Sequence, residues 1–217
     1  MLSSVHDVSE ALRLPSPAPR PQALAFDGDK LWMGSISTDR LYAINPQQWT
    51  LIEETNVPGK PWGATVIGDE LRVVCGVGEN DDRVIRRFVP GHGFKMQGAI
   101  DCPDATGSQL SYDGTLLYLS QWYNRRILGL DESGKIVREI AVPHEICGQC
   151  YVDGIFYLVT TDDEDTDDYF LTRVAANGAT RSEDLARMPF AARALAYDGS
   201  RFWTNHREAN QIVAFDR

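Results

Sequence analysis

A chain of 217 residues with 31 acidic and 21 basic side chains carries a formal charge of −10, which argues against nucleic acid or anionic membrane as a partner. Hydrophobic residues make up 43%, enough for a globular core, yet no apolar run reaches the roughly 18 residues that span a bilayer. Four cysteines are too sparse for a disulfide framework, so reduced thiols and a cytoplasmic setting are expected.

The first residues, MLSSVHDVSEALRL, lack the basic start and apolar centre of a secretory signal. Within them VSEALRL, about residues 7–14, reads as a strand. The segment ALAFDGDKLWMGS follows, two β-rich runs around a turn at Gly28, then RLYAIN and TLIEETNV. The pattern recurs in ATVIGDELRVVCG, RVIRRFV and FKMQGAI; in QLSYDGTLLYLSQ, RRILGL and KIVREIAV; in QCYVDGIFYLVT and FLTRVA; and in ALAYDGSRFWTNH and QIVAFD. Aligned on Asp27, Ile67, Asp113, Asp153 and Asp198, the repeats are 40, 46, 40 and 45 residues apart. Four strands in about 40–45 residues is the period of a propeller blade.

The fold expected is therefore all-β, a five-bladed β-propeller of four-stranded antiparallel blades forming a single domain over residues 1–217. The fifth repeat stops after its third strand at Arg217, so the N-terminal strand is expected to complete blade five and close the ring. Trp32, Tyr118, Tyr157 and Trp203 share one register and should pack between blades. Asp39-Arg40, Asn124-Arg125 and Asn210-Gln211 read as turns before the third strands.

The strand pattern of SYDGTLLYLSQWYNRRILGLD and AYDGSRFWTNHREANQIVAFD resembles the NHL, gluconolactonase-type and streptogramin-lyase-type propellers. The blade count and PQALAFDGDKLW are similar to plant-type glutaminyl cyclases. Likeness to these families implies a ligand site at one mouth of the channel.

By the repeat register, Gln22, Trp62, Ser108, Gly148 and Arg193 open the innermost strands. Ser35, Cys75, Gln121, Thr160 and His206 end the second strands. The mouth ring contains no acid, so the metal ligands of gluconolactonase-type enzymes have no counterpart; a divalent metal is left without a ligand set. Trp62 stands where the glutaminyl cyclases place a glutamate. The lyase-type families imply a histidine base at the end of a second strand, and His206, with Glu208 two residues on, matches that slot. A neutral imidazole is a suitable general base near pH 7, and Arg193 on the same blade suits an anion or a developing oxyanion.

His206 and Arg193 are thus the candidate catalytic pair. Gln22, Trp62, Gln121, Tyr123 and Gln149 are expected to line the pocket, with His144 and Glu145 at its rim. The motif HEICGQC, residues 144–150, invites a metal or redox reading. On a strand, however, side chains three apart point to opposite faces, and Cys150 aligns with Leu24, Ala64, Leu110 and Leu195 as a small buried hydrophobe. The acidic run Asp162 to Asp168 lacks the glycine and final glutamate of an EF-hand and reads as a solvated loop. VCGVGEN ends a strand with no helix after it, so it is no nucleotide fingerprint. The function expected is a lyase or hydrolase acting on an anionic or carbonyl-bearing small molecule. The alternative is a propeller that binds a ligand or a protein without turnover.

Overall fold

The computed structural model describes residues 5–78, 82–177 and 182–217. Twenty-one strands form five antiparallel sheets. The N-terminal strand is β1 (Glu10–Pro15). Blade one comprises β2 (Pro21–Phe26), β3 (Leu31–Ser35), β4 (Arg40–Asn45) and β5 (Thr50–Asn56). Blade two comprises β6 (Lys60–Ile67), β7 (Glu70–Gly76) and β8 (Val84–Val89), with the short β9 (Gly93–Phe94) and β10 (Ile100–Asp101) both paired to β8. The run FKMQGAI, expected as one strand, is split between these two because residues 95–99 bulge away from β8.

Blade three is β11 (Leu110–Tyr112), β12 (Leu117–Gln121), β13 (Arg126–Leu130) and β14 (Ile136–Ala141). Blade four is β15 (Glu145–Val152), β16 (Ile155–Thr161), β17 (Tyr169–Ala175) and β18 (Glu183–Met188). Blade five is β19 (Ala192–Tyr197), β20 (Arg201–His206) and β21 (Gln211–Asp216). Its fourth position is filled by β1, antiparallel to β21 with Leu14 opposite Ile212. The N-terminal segment reaches further still: Val8 N–H donates to Arg187 O on β18, and Arg187 N–H donates to His6 O. The closing chain therefore staples blades four and five together.

Five hydrophobic clusters fill the wedges, one between each adjacent pair of blades. The shared aromatic register sits in these wedges: Trp32 meets Phe88 at 5.3 Å, Tyr118 meets Phe156 at 4.7 Å, Tyr157 meets Phe202 at 4.9 Å, and Trp203 stacks on Trp49 at 6.0 Å. Three of these rings are fixed by the aspartate of their own hairpin turn. Asp27 accepts the N–H groups of Asp29 and Lys30 on one oxygen and Trp32 Nε1 on the other at 2.7 Å. Asp113 repeats this with Tyr118, and Asp198 with Trp203. One carboxylate thus makes the turn and positions the interblade ring.

Blade four departs from the others by one residue. Val152 pairs directly with Ile155 across a two-residue Asp153–Gly154 turn with positive φ at both positions, 51° and 83°. Cys150 therefore lies opposite Tyr157, in the register of Ala25 opposite Trp32, and Gln149 takes the channel-layer slot expected for Cys150. Cys147, not Gly148, is the counterpart of Gln22 and Trp62, each of them the extra residue of a bulge. The bulge also corrects the expectation of opposite faces: Cys147 and Cys150 are buried in the same cluster, between blades four and five.

All four cysteines are free and buried. Burial pushes the Cys75, Cys102 and Cys147 thiols up to about 12, and raises Cys150 as well. Such thiols are inert. In the native protein at about pH 8 none should react promptly with a thiol reagent, whereas all four should react in guanidinium. Fast labelling of Cys147 or Cys150 in the folded protein would contradict this packing.

A candidate ligand cleft at the mouth of the channel

At the end of the ring where the innermost strands begin, the loops enclose a cleft of about 420 Å³. Blade one contributes Arg20, Gln22 and Ile36; blade two Lys60, Trp62 and Arg83; and blade three Thr106, Gly107, Ser108, Trp122 and Tyr123. Glu164 enters from blade four and Arg207 from blade five. Four cations and one carboxylate thus face the same space, on a chain whose net charge is −10.

Several of these side chains are held in place. Arg83 is buried and lies over the Trp62 ring, 3.8 Å from its centroid. Arg207 donates to Gln22 Oε1 at 3.0 Å and to Glu208 at 3.1 Å. Burial holds the Arg207 pKa down, with Arg193 as the next cause. Tyr123 donates to Glu164 at 3.0 Å, and burial together with that carboxylate pushes its phenol up to about 12. The acidic loop carrying Glu164 is no loose tether: Thr161 Oγ1 donates to the carbonyls of Asp163 and Asp168, and Tyr169 OH donates to Glu164 O.

The expected site residues separate into groups. Gln22, Trp62 and Tyr123 line the cleft. Arg193 lies behind it, 2% exposed, with its guanidinium 4.9 Å from the Trp122 ring and 5.0 Å from the Tyr169 ring; its Nη1 donates to Tyr169 OH at 2.7 Å. Gln121 is fully buried, donating to the carbonyls of Pro103 and Thr106 and accepting from Arg126 and Asn124, so it shapes the wall. Glu145 accepts Trp122 Nε1 at 2.9 Å and orients that ring. His144 is turned to Asp162 at 2.9 Å and to Asp184. Gln149 lies deeper and borders a second cavity of about 320 Å³ at the opposite end of the channel, its amide donating to Ser111 Oγ.

His206 does not border the cleft. Its ring stacks on Phe190 at 4.8 Å, and its Nδ1 lies 3.0 Å from Arg13 Nη1 on the closing strand. A guanidinium only donates, so Nδ1 is the acceptor and the base lone pair on that atom is occupied. Burial, then the Arg13 charge, lowers the His206 pKa. The residue ties β20 to β1.

Arg20, Lys60, Arg83, Glu164 and Arg207 were not singled out from sequence. Arg20 and Lys60 precede the Pro21 and Pro61 positions by one residue, and Arg207 follows His206, so the same register read one residue outward would have found them. Arg83 and Glu164 sit in loops of unequal length that no repeat aligns. In the motif VCGVGEN, Glu79 and Asn80 lie outside the described residues. No group of three or more His, Cys, Asp or Glu residues able to hold a metal ion occurs among the described residues, and none of their helices is long and apolar enough to cross a membrane.

No family model and no curated protein sequence matches the chain. Solved structures do. A regucalcin from Agrobacterium tumefaciens, described as a calcium-binding protein, aligns with TM-score 0.63 and 10% identity over 99% of this chain and 95% of its own. Virginiamycin B lyase from Staphylococcus aureus aligns with TM-score 0.54 and 14% identity over 94% of this chain and 68% of its own. Hydrazine synthase from Kuenenia stuttgartiensis aligns with TM-score 0.55 and 17% identity over 90% of this chain; the chain spans only 64% of that protein. At such identities the likeness shows the propeller fold and nothing finer.

Proposed function

We propose that the mouth cleft binds a small anionic molecule and that the protein acts on it as a lyase or hydrolase. The observation that carries this reading is the cleft's composition: Arg20, Lys60, Arg83 and Arg207 around aromatic walls, with a single carboxylate, Glu164, among the lining residues. The cations neutralise the substrate's charge and any oxyanion or enolate formed from it. Glu164, oriented by the Tyr123 hydroxyl, takes a proton from substrate carbon or from water and returns it. Arg193 adds positive potential from behind Trp122. Beside this stands a second reading, binding without turnover, which is favoured by the scarcity of acid–base groups in so donor-rich a cleft.

The test is a screen of small carboxylates, esters and lactones for turnover and for a shift in melting temperature. With a substrate in hand, Glu164→Gln should lower the rate by roughly 10²–10⁴-fold without changing the melting temperature. His206→Ala should instead lower stability. Full turnover in Glu164→Gln would remove the assigned base, and turnover lost only in His206→Ala would restore the imidazole. The absence of any effect from every carboxylate tried would reject the anion site itself.

A further inference from the structure

The cations at the mouth fall on two sides. On one, Arg20 and Arg207 come from blades one and five, with Arg193 behind them. On the other, Lys60 and Arg83 belong to blade two, Lys60 pairing with Gly76 across β6 and β7 and Arg83 hydrogen-bonded to Gly78 O. No hydrogen bond or ion pair engages the side-chain charge of Arg20 or Lys60 among the described residues. Nor does any carboxylate come within ion-pair distance of Arg193, although it is 98% buried by area, its exposure being 2%. Its Nε has no partner, and the buried Nε1 of Trp62, whose ring borders the cleft, has none either. Buried donors without acceptors are costly and call for an acceptor from outside the chain. Arg20 is moreover fixed in a left-handed conformation, φ 51°, by Asn210 Oδ1 on its N–H and by Ile36 N–H on its carbonyl. The chain thus bears local strain to hold a cation at that spot.

We infer that the ligand is a dicarboxylate whose two carboxylates are separated along its length, one held by Arg20 and Arg207 and the other by Lys60 and Arg83, with Trp62 against the body between them. This rests on the anion-site reading above and narrows it. A ligand with one anionic group satisfies one side and leaves the other cationic and solvated. The burial-lowered Arg207 pKa, to which Arg193 and Arg20 both contribute, fits a crowded cationic side that a carboxylate would relieve.

The experiment titrates the protein with unbranched α,ω-dicarboxylates of increasing length, their monomethyl esters, and inorganic phosphate, reading affinity by calorimetry. One chain length should bind best, roughly tenfold or more tighter than its own monoester, the worth of about one charge-assisted contact. Lys60→Gln and Arg20→Gln, both at partly or fully exposed positions and so tolerable to the fold, should each erase most of that preference while the melting temperature of the free protein holds. If monoesters bind as tightly as their diacids, or phosphate as tightly as the best diacid, the two-carboxylate inference fails and the anion site stands. If no carboxylate binds even at about 10 mM, beyond the range of specific affinity, both fail together.

Discussion

Deleting residues 1–15 should lower the melting temperature by roughly 10 °C and turn a soluble protein into one prone to aggregate. The segment buries little of itself: most of β1 is exposed and Leu14 only half-buried. Its contribution lies in what it covers and pairs. Five positions of β1 pair with β21, Trp49 Nε1 donates to Pro15 O, and Arg13 bridges to Gln211 and His206. At roughly 0.5–1.5 kcal/mol net for each hydrogen bond, the loss comes to about 3–5 kcal/mol. Without it β21 becomes a free edge beside the apolar wedge of Ile212, Val213 and Phe190. A synthetic peptide of residues 5–15 should restore part of the loss when added in trans. An unchanged melting temperature in the truncated protein would mean that blade five closes without its fourth strand.

The period, the blade count and this closure were legible in the sequence because a four-stranded blade must repeat its apolar alternation to fill identical wedges. The interblade aromatics were legible for the same reason. The site was less so, for two physical reasons. In blade four a two-residue turn replaces a longer one, and counting from Asp153 displaced the inner strand by one position. A slip of one residue exchanges faces, which is how Gln149 and Cys150 traded roles. His206 was placed in the right slot at the end of its strand, but the slot does not fix which way the ring turns. Arg13, 193 residues away in sequence, decides that, and nothing local to TNHREANQI announces it.

Gly63→Val should destabilise the protein by about 3 kcal/mol or more, the upper end of what overpacking costs, and lower the melting temperature by roughly 6–12 °C. Gly63 has no need of positive φ; what it lacks is space. A Cβ there would stand 2.2 Å from Ser108 O and 2.7 Å from Gln109 Cα, both backbone atoms of blade three. Gly148 meets the same obstacle on the other side of the ring, 2.6 Å from the carbonyl of Ala194. In the ring register these two glycines share a layer with Ala23, Gln109 and Ala194, where five inner strands come together just below the cleft. Side chains can rotate away from an added methyl group; a neighbouring strand cannot, so relief requires the blades to part. Gly28 supplies the contrast: its φ is 99° but nothing lies within 4 Å of an added Cβ. Gly28→Ala should therefore cost only the backbone strain, about 1–2 kcal/mol, and leave the cleft intact. Because Gln22, Trp62 and Ser108 adjoin this layer, Gly63→Val should also weaken ligand binding at temperatures where the protein is still folded. Equal melting temperatures for Gly63→Val and the parent would show that the inner strands are not in the close contact described.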